Sequence, residues 1–183
     1  KYLLIGMIGR VNYWKGQEYF IKLAAEISKR HPNVRFIMVG DAFPGYEYLY
    51  DHLKHLIEKE NLTDKIYNLG YRTDIVNILN SLDVFVLPSV LPDPFPTVIL
   101  EAMAAAKPVV ATLQGGAVEM LEDGESGIFI PINNPIVAAS KMSELISNPL
   151  ERIRIGKNAK RRIENSLSIA SFDRAMLQII EQS

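Results

Sequence analysis

Cysteine is absent from all 183 residues. That excludes disulfides, thiolate metal centres and cysteine redox or nucleophilic chemistry, and it is compatible with a reducing cytosol. An excess of charge of one sign is also lacking. The 20 Lys and Arg face 21 Asp and Glu, for a net −1, and the cations are mostly scattered, so no nucleic-acid surface is expected. The one dense basic run, Arg152 to Arg162, alternates with Ile and Ala at helical spacing. It reads as a solvated helix face that could also touch an anionic membrane. No apolar stretch approaches the ~18 residues of a membrane span, and no secretory signal pattern is present. Two common phosphate-binding signatures, Gly-x4-Gly-Lys-Ser/Thr and Gly-x-Gly-x-x-Gly, are missing as well.

What is there is the composition of one globular domain, 48% apolar and 22% charged, at a length that buries a real core. The first residue is Lys1, with an apolar strand beginning at once, which reads as a piece of a longer protein. Short apolar runs alternate with amphipathic stretches. Strands are expected at 3–8, 34–39, 66–69, 84–87, 108–111 and 127–130. Helices are expected at 16–30, with Phe20, Leu23, Ala24 and Ile27 on one face, and at 47–60, 74–80 and 96–106, with a short one after Gly115-Gly116. From Pro135 to 183 the chain reads as a helical tail, broken near Asn148-Pro149 and Ser166–Ser168.

Wholly apolar strands separated by helices imply a parallel sheet covered on both faces. Right-handed crossovers make it an α/β, Rossmann-like, doubly wound domain. Such sheets take ligands beyond the carboxyl ends of their strands. The informative places are therefore the loops that leave those ends.

The first loop, Gly9-Arg10-Val11-Asn12-Tyr13-Trp14-Lys15-Gly16, follows a strand and opens a helix. Arg10 offers a planar fork and Lys15 a point charge, both suited to phosphate. Equally, Lys15 could start a surface helix and Arg10 pair with a neighbour. The second loop, Gly40 to Gly45, could admit a ligand, although glycines after strands are common turn residues. The third places Tyr71, a candidate partner for a nucleobase, beside Arg72, with Thr73 expected to cap the next helix.

The fourth loop runs Pro88-Ser89-Val90-Leu91-Pro92-Asp93-Pro94-Phe95-Pro96-Thr97-Val98-Ile99-Leu100-Glu101-Ala102. A residue before proline avoids the helical region, so Phe95 should be extended and the helix should start at Pro96. The amides of Thr97 and Val98 then fall in the unpaired first turn, which suits a phosphate or sugar oxygen. Glu101 follows one turn further in. Asp93 and Glu101 on a single helix would diverge by about 80°, so they converge only because Asp93 lies off it. Spacing alone also allows Asp93 to be a turn residue and Glu101 an ordinary acid near a helix start.

Taken in order, Gly-Arg-x4-Lys-Gly, the acid-Pro-Phe segment at Asp93, Glu101-Ala102-Met103-Ala104, Pro108-Val109-Val110-Ala111-Thr112, Gly115-Gly116-Ala117-Val118-Glu119 and Asp123-Gly124-Glu125-Ser126-Gly127 resemble the donor-binding, carboxyl-terminal half of the GT-B glycosyltransferases of family 4. The resemblance runs from residue 3 to about 130, and the helical tail fits it. It implies retaining transfer of a sugar from a UDP-, GDP- or ADP-sugar donor, with no cofactor and no bound metal. Arg10 and Lys15 match the residues that balance the diphosphate charge, with Gly9, Gly40 and Tyr71 around the nucleotide. Glu101 matches the acid that holds the ribose hydroxyls, and Asp93 the acid that faces the donor sugar.

Three positions depart from the family pattern: Asp93 stands for a glutamate, Pro96 for a glycine, and Ala42 for the second glycine of a Gly-Asp-Gly turn. The resemblance further implies a separate amino-terminal acceptor domain not contained in these residues. It also implies a carbohydrate or lipid-linked acceptor, a role in envelope polysaccharide or glycolipid synthesis, and a cytoplasmic protein with possible peripheral membrane contact. Alternatives are a GT-B-like nucleotide-sugar epimerase, a catalytically silent nucleotide-binding module, and a glycoside hydrolase, whose two carboxyls would have to face across a cleft.

Overall fold

The structure, a computed structural model, describes residues 2–181. Lys1 and the last two positions of the expected tail lie outside the described residues. Six strands form one sheet: β1 (Leu3–Ile8), β2 (Val34–Val39), β3 (Ile66–Asn68), β4 (Val84–Leu87), β5 (Val109–Thr112) and β6 (Ile128–Ile130). Every pairing is parallel, and the strand order is β3-β2-β1-β4-β5-β6. Between the strands run α1 (Gln17–Arg30), α2 (Tyr48–Lys59), α3 (Ile75–Ser81), α4 (Thr97–Ala104) and α5 (Ala117–Met120). The tail is α6 (Pro135–Ser147), α7 (Pro149–Ser166) and α8 (Ile169–Glu181).

The sheet separates two cores, because successive side chains of a strand point to opposite faces. Phe36, Met38, Val84 and Val86 pack with α1, α2 and α6, while Ile37, Val39, Phe85 and Leu87 pack with α3, α4 and α5. The four residues of β4 are all buried. At roughly 1.5–3 kcal/mol for each large side chain removed from water, such burial outweighs any local propensity. Helix α7 closes both layers, with Ile155 in the first core and Ala159 in the second.

Most element ends fall within a residue or two of expectation, and α4 differs for physical reasons. Pro96 precedes the helix instead of opening it: its ψ is 88°, outside the helical range, while its carbonyl already accepts from Ile99 N at 2.9 Å. The helix stops at Ala104 because Ala106 takes a left-handed φ of 53°. Lys107 N then donates to Ala102 O at 3.0 Å and Ala106 N to Met103 O at 2.9 Å, a Schellman turn with alanine where glycine is usual. The breaks in the tail are capped starts: Asn134 and Asn148 accept from first-turn amides, and a proline opens each following helix.

Part of the basic run is spent inside the domain. Arg152 donates to the Leu145 and Ile146 carbonyls. Arg154 reaches Glu151, Glu125 and the Gly124 carbonyl. Arg162 reaches Met120 O, Glu119 O and Glu122. Arg152 thus ties α7 to α6, while Arg154 and Arg162 staple the tail to the β5–β6 region. No helix among the described residues is long and apolar enough to cross a membrane.

A further tie runs from α1 to the end of β6, where the buried Tyr19 hydroxyl donates to Pro131 O at 2.6 Å. Burial pushes the Tyr19 phenol up to about 12, against about 10 in the unfolded chain. The folded state thus resists an ionisation that the unfolded state accepts. The stabilisation is complete below pH ~10 and is lost as pH rises through about 12. Tyr19→Phe should cost roughly 0.5–1.5 kcal/mol at neutral pH by urea denaturation. Its melting temperature should also fall less steeply between pH 10 and 12 than that of the native protein.

Candidate functional site

In the strand order β3-β2-β1-β4-β5-β6, successive connections diverge between β1 and β4. A crevice opens at such a switch point, beyond the carboxyl ends of the strands. The β1–α1 and β4–α4 loops meet there. Gly16 has φ 83°, and a Cβ on it would come within 1.9 Å of the Pro88 carbonyl oxygen. Only glycine allows both the left-handed turn and this approach. Beside it Val90 N donates to Trp14 O at 2.8 Å. Asn12 Oδ1 accepts from Trp14 N at 3.1 Å and Lys15 N at 2.9 Å, an Asx turn that aims Lys15 across the crevice.

The β4–α4 loop is braced from its other side. Ser89 O accepts from Thr112 Oγ1 at 2.6 Å and Gln114 Nε2 at 2.5 Å. Gly116 N donates to Asp93 O at 2.8 Å. Gly115, at φ 58°, packs so closely that a Cβ would lie 2.5 Å from Asp93 O. The Gly115-Gly116 pair therefore sets the height of Asp93. The Asp93 carboxylate forms an ion pair with Lys15 Nζ, with both side chains largely buried.

The β2–α2 and β3–α3 loops complete the wall. Gly9 N donates to Val39 O, and Val11 N to Asp41 O, each at 2.9 Å. Gly40 N donates to Gly70 O at 2.9 Å. The Arg10 guanidinium carbon lies 3.7 Å from the Phe43 ring centroid. Arg72 grips Asp74 through two hydrogen bonds of 2.8 Å. That grip holds the Asp74 carboxyl below, and the Arg72 guanidinium above, their usual ranges. The cleft between these loops is open to solvent and measures about 850 Å³. Among the described residues, no three His, Cys, Asp or Glu side chains gather where they could hold a metal ion.

The family profile of the glycosyl transferases group 1 matches residues 1–162. The chain belongs to this family. It is 32% identical over 167 residues to a glycosyltransferase of Methanocaldococcus jannaschii, covering 90% of this chain and 41% of that protein. It is 27% identical over 186 residues to spore coat protein SA of Bacillus subtilis, covering 98% of this chain and 49% of that protein. Among solved structures, Anabaena HepE in complex with UDP-glucose superposes with a TM-score of 0.87 at 28% identity, over all of this chain and 49% of HepE. The chain thus spans about half the length of these relatives. The Rossmann-like sheet and helical tail are those of the carboxyl-terminal half of a GT-B glycosyltransferase.

Eight of the nine candidate residues line the one cleft: Gly9, Arg10, Lys15, Gly40, Tyr71, Thr97, Val98 and Glu101. Thr97 and Val98 occupy the first turn of α4, where amides have no intrahelical acceptor. Glu101 is exposed, and among the described residues its carboxylate meets no hydrogen-bond or ion-pair partner. Asp93 does not line the cleft; its carboxylate is paired with Lys15, which does. Two acids facing each other across the cleft, which a hydrolase needs, are therefore not what Asp93 and Glu101 make. Thr73 does not cap α3. The helix begins at Ile75 with Asp74 at its cap and no side-chain cap bond, since Arg72 has taken that carboxylate.

Sequence reasoning missed two features. Phe43 had no role, and the sole signal for it was an aromatic residue in a loop at the correct sheet edge. Gly115 and Gly116 matched a pattern without a reason, which the contact with Asp93 now supplies. Gly115→Ala should force the Asp93 loop outward and cost about 1–3 kcal/mol of stability. Amide exchange at Gly116 should accelerate by at least tenfold relative to the native protein; unchanged protection there would show that the loop is held by other means.

Proposed function

We propose that this chain is the donor-binding half of a retaining glycosyltransferase that takes a nucleoside diphosphate sugar. The observation that carries this reading is convergence. Arg10, Lys15, the free amides of Thr97 and Val98, and Glu101 reach one cleft at the switch point from two loops far apart in sequence. UDP is the nucleotide we favour, because HepE is described in complex with UDP, and with UDP-glucose. GDP and ADP are the other donors to compare.

In this reading Tyr71 offers its exposed ring to the base, and Glu101 accepts hydrogen bonds from the ribose hydroxyls. Arg10, Lys15 and the α4 amides receive the diphosphate, with Gly9 and Gly40 keeping the loops low beside it. As the bond from the anomeric carbon to the phosphate oxygen breaks, its electron pair goes to the diphosphate. Preplaced cations and amides stabilise that growing charge more in the transition state than in the ground state. The resident cations can supply this stabilisation, so we assign the reaction no metal and no cofactor.

Asp93 has a double part. Unliganded, it neutralises Lys15. A diphosphate that captures the ammonium releases the Asp93 carboxylate toward the donor sugar, where negative charge favours oxocarbenium character at the anomeric carbon.

The acceptor, carbohydrate or lipid-linked, is bound by an amino-terminal domain outside this chain, and the 183 residues alone transfer little sugar. Several relatives are named for the biosynthesis of envelope polymers, such as the lipopolysaccharide core biosynthesis mannosyltransferase of Rhizobium leguminosarum and the capsular polysaccharide biosynthesis glycosyltransferase of Staphylococcus aureus. They support a role in envelope polysaccharide or glycolipid synthesis. We place the reaction on the cytoplasmic side, with the exposed cations of α7 available to an anionic membrane.

Calorimetric titration with UDP, GDP and ADP should show one base preferred. Arg10→Ala and Lys15→Ala should each weaken binding about tenfold or more; binding indifferent to both would remove the diphosphate clamp. Asp93→Asn frees Lys15 from its internal anion and should tighten UDP binding about three- to tenfold, in the range of a partly buried charge pair. In the full-length protein the same substitution should lower kcat sharply. Full turnover by that variant would take Asp93 out of the chemistry.

A further inference from the structure

Three cations stand at the rim of the cleft, and the protein treats them differently. Lys15 is neutralised by Asp93, and Arg72 by Asp74. Arg10 has no carboxylate partner among the described residues, and its guanidinium carbon lies over the Phe43 ring, 3.7 Å from the centroid. The geometry points to Phe43 as a positioning residue, one that holds the Arg10 guanidinium ready for a diphosphate without neutralising it. This rests on the reading of Arg10 as part of a diphosphate clamp.

An unrestrained arginine samples many rotamers, and fixing it for a ligand costs side-chain entropy. A carboxylate could fix it, but would consume the N–H donors and cancel the charge that the ligand needs. An aromatic ring avoids both penalties. It attracts the cation through its quadrupole and covers a face of the guanidinium, so the in-plane N–H fork remains available for phosphate oxygens.

The ring is held at the correct place by the backbone beneath it. Gly40 passes so close to the first loop that a Cβ on it would lie 2.0 Å from Gly9 O. Val11 and Ala42 form a parallel bridge, and the Ala42 amide is anchored on the Tyr50 hydroxyl at 2.7 Å. Phe43 O accepts from Tyr46 N at 2.9 Å, closing the turn. Two loops that leave neighbouring strands are thereby locked in register, one carrying the cation and the other its platform. Phe43 is itself 46% exposed, so its burial contributes little to the core and its replacement leaves the fold intact.

The test is a double-mutant cycle on UDP affinity, measured by calorimetry on this chain. Phe43→Leu should weaken UDP binding about three- to tenfold, the scale of a partly desolvated cation–π contact. Phe43→Tyr and Phe43→Trp, which keep the ring, should stay within about twofold of the native protein. With Arg10→Ala already present, Phe43→Leu should add almost nothing, because the ring then has no cation to hold. A loss of equal size in both backgrounds would overturn the proposal, since the ring would be acting on its own. So would native affinity in Phe43→Leu while Arg10→Ala binds weakly. If Arg10→Ala itself binds UDP like the native protein, the clamp is wrong and the role of Phe43 falls with it.

Discussion

The contact on which the site depends is the approach of Gly16 to the Pro88 carbonyl. A parallel sheet wound in both directions leaves an opening between β1 and β4, and nothing in the strands determines how far it gapes. The left-handed Gly16 and the Trp14–Val90 hydrogen bond draw the two loops together at that opening. Once they are joined, Lys15 and the α4 amides belong to the same cleft although more than eighty positions separate them in sequence. A side chain at position 16 would hold the loops apart and dissolve the site without touching either core.

Electrostatics then divides the labour. Cations gathered in a small cleft repel one another, and each needs either a counter-charge or a polarisable support. Lys15 receives an acid, Arg72 receives a bidentate acid, and Arg10 receives an aromatic face. The difference matters because a paired ammonium can exchange partners when an anion arrives, whereas a stacked guanidinium has nothing to give up. One cation is thus available at once, and the other on exchange. In the proposed reading Asp93 is the pivot of that exchange, and the close-packed Gly115 and Gly116 hold its backbone in place.

Much of this was legible in the residues. Wholly apolar strands such as Val84 to Leu87 mean burial on both faces, and two-faced burial means a parallel sheet with crossover helices. The loops worth reading followed from that geometry, and eight of nine candidate positions lie in one cleft. Errors arose where local rules met tertiary contacts. Pro96 is suited by its ring to open a helix, but its ψ of 88° places it one residue outside. Thr73 is a good capping residue, yet the helix starts one residue later with Asp74 at its cap, and Arg72 holds that carboxylate. The basic run read as a solvated face, but three of its arginines bind carbonyls and carboxylates of other elements.

The sequence by itself determined the fold class, the parallel winding and the identity of the residues at the sheet edge. Hydrophobic periodicity and glycine–proline punctuation are local properties, and local properties can be read along a chain. Only the tertiary structure decided which charges stand against which partners. Lys15 pairs with a carboxylate 78 positions away, and Arg10 rests on a ring from a different loop. Distances of a few ångströms between loops depend on how helices and strands stack, and no spacing rule along the chain encodes them.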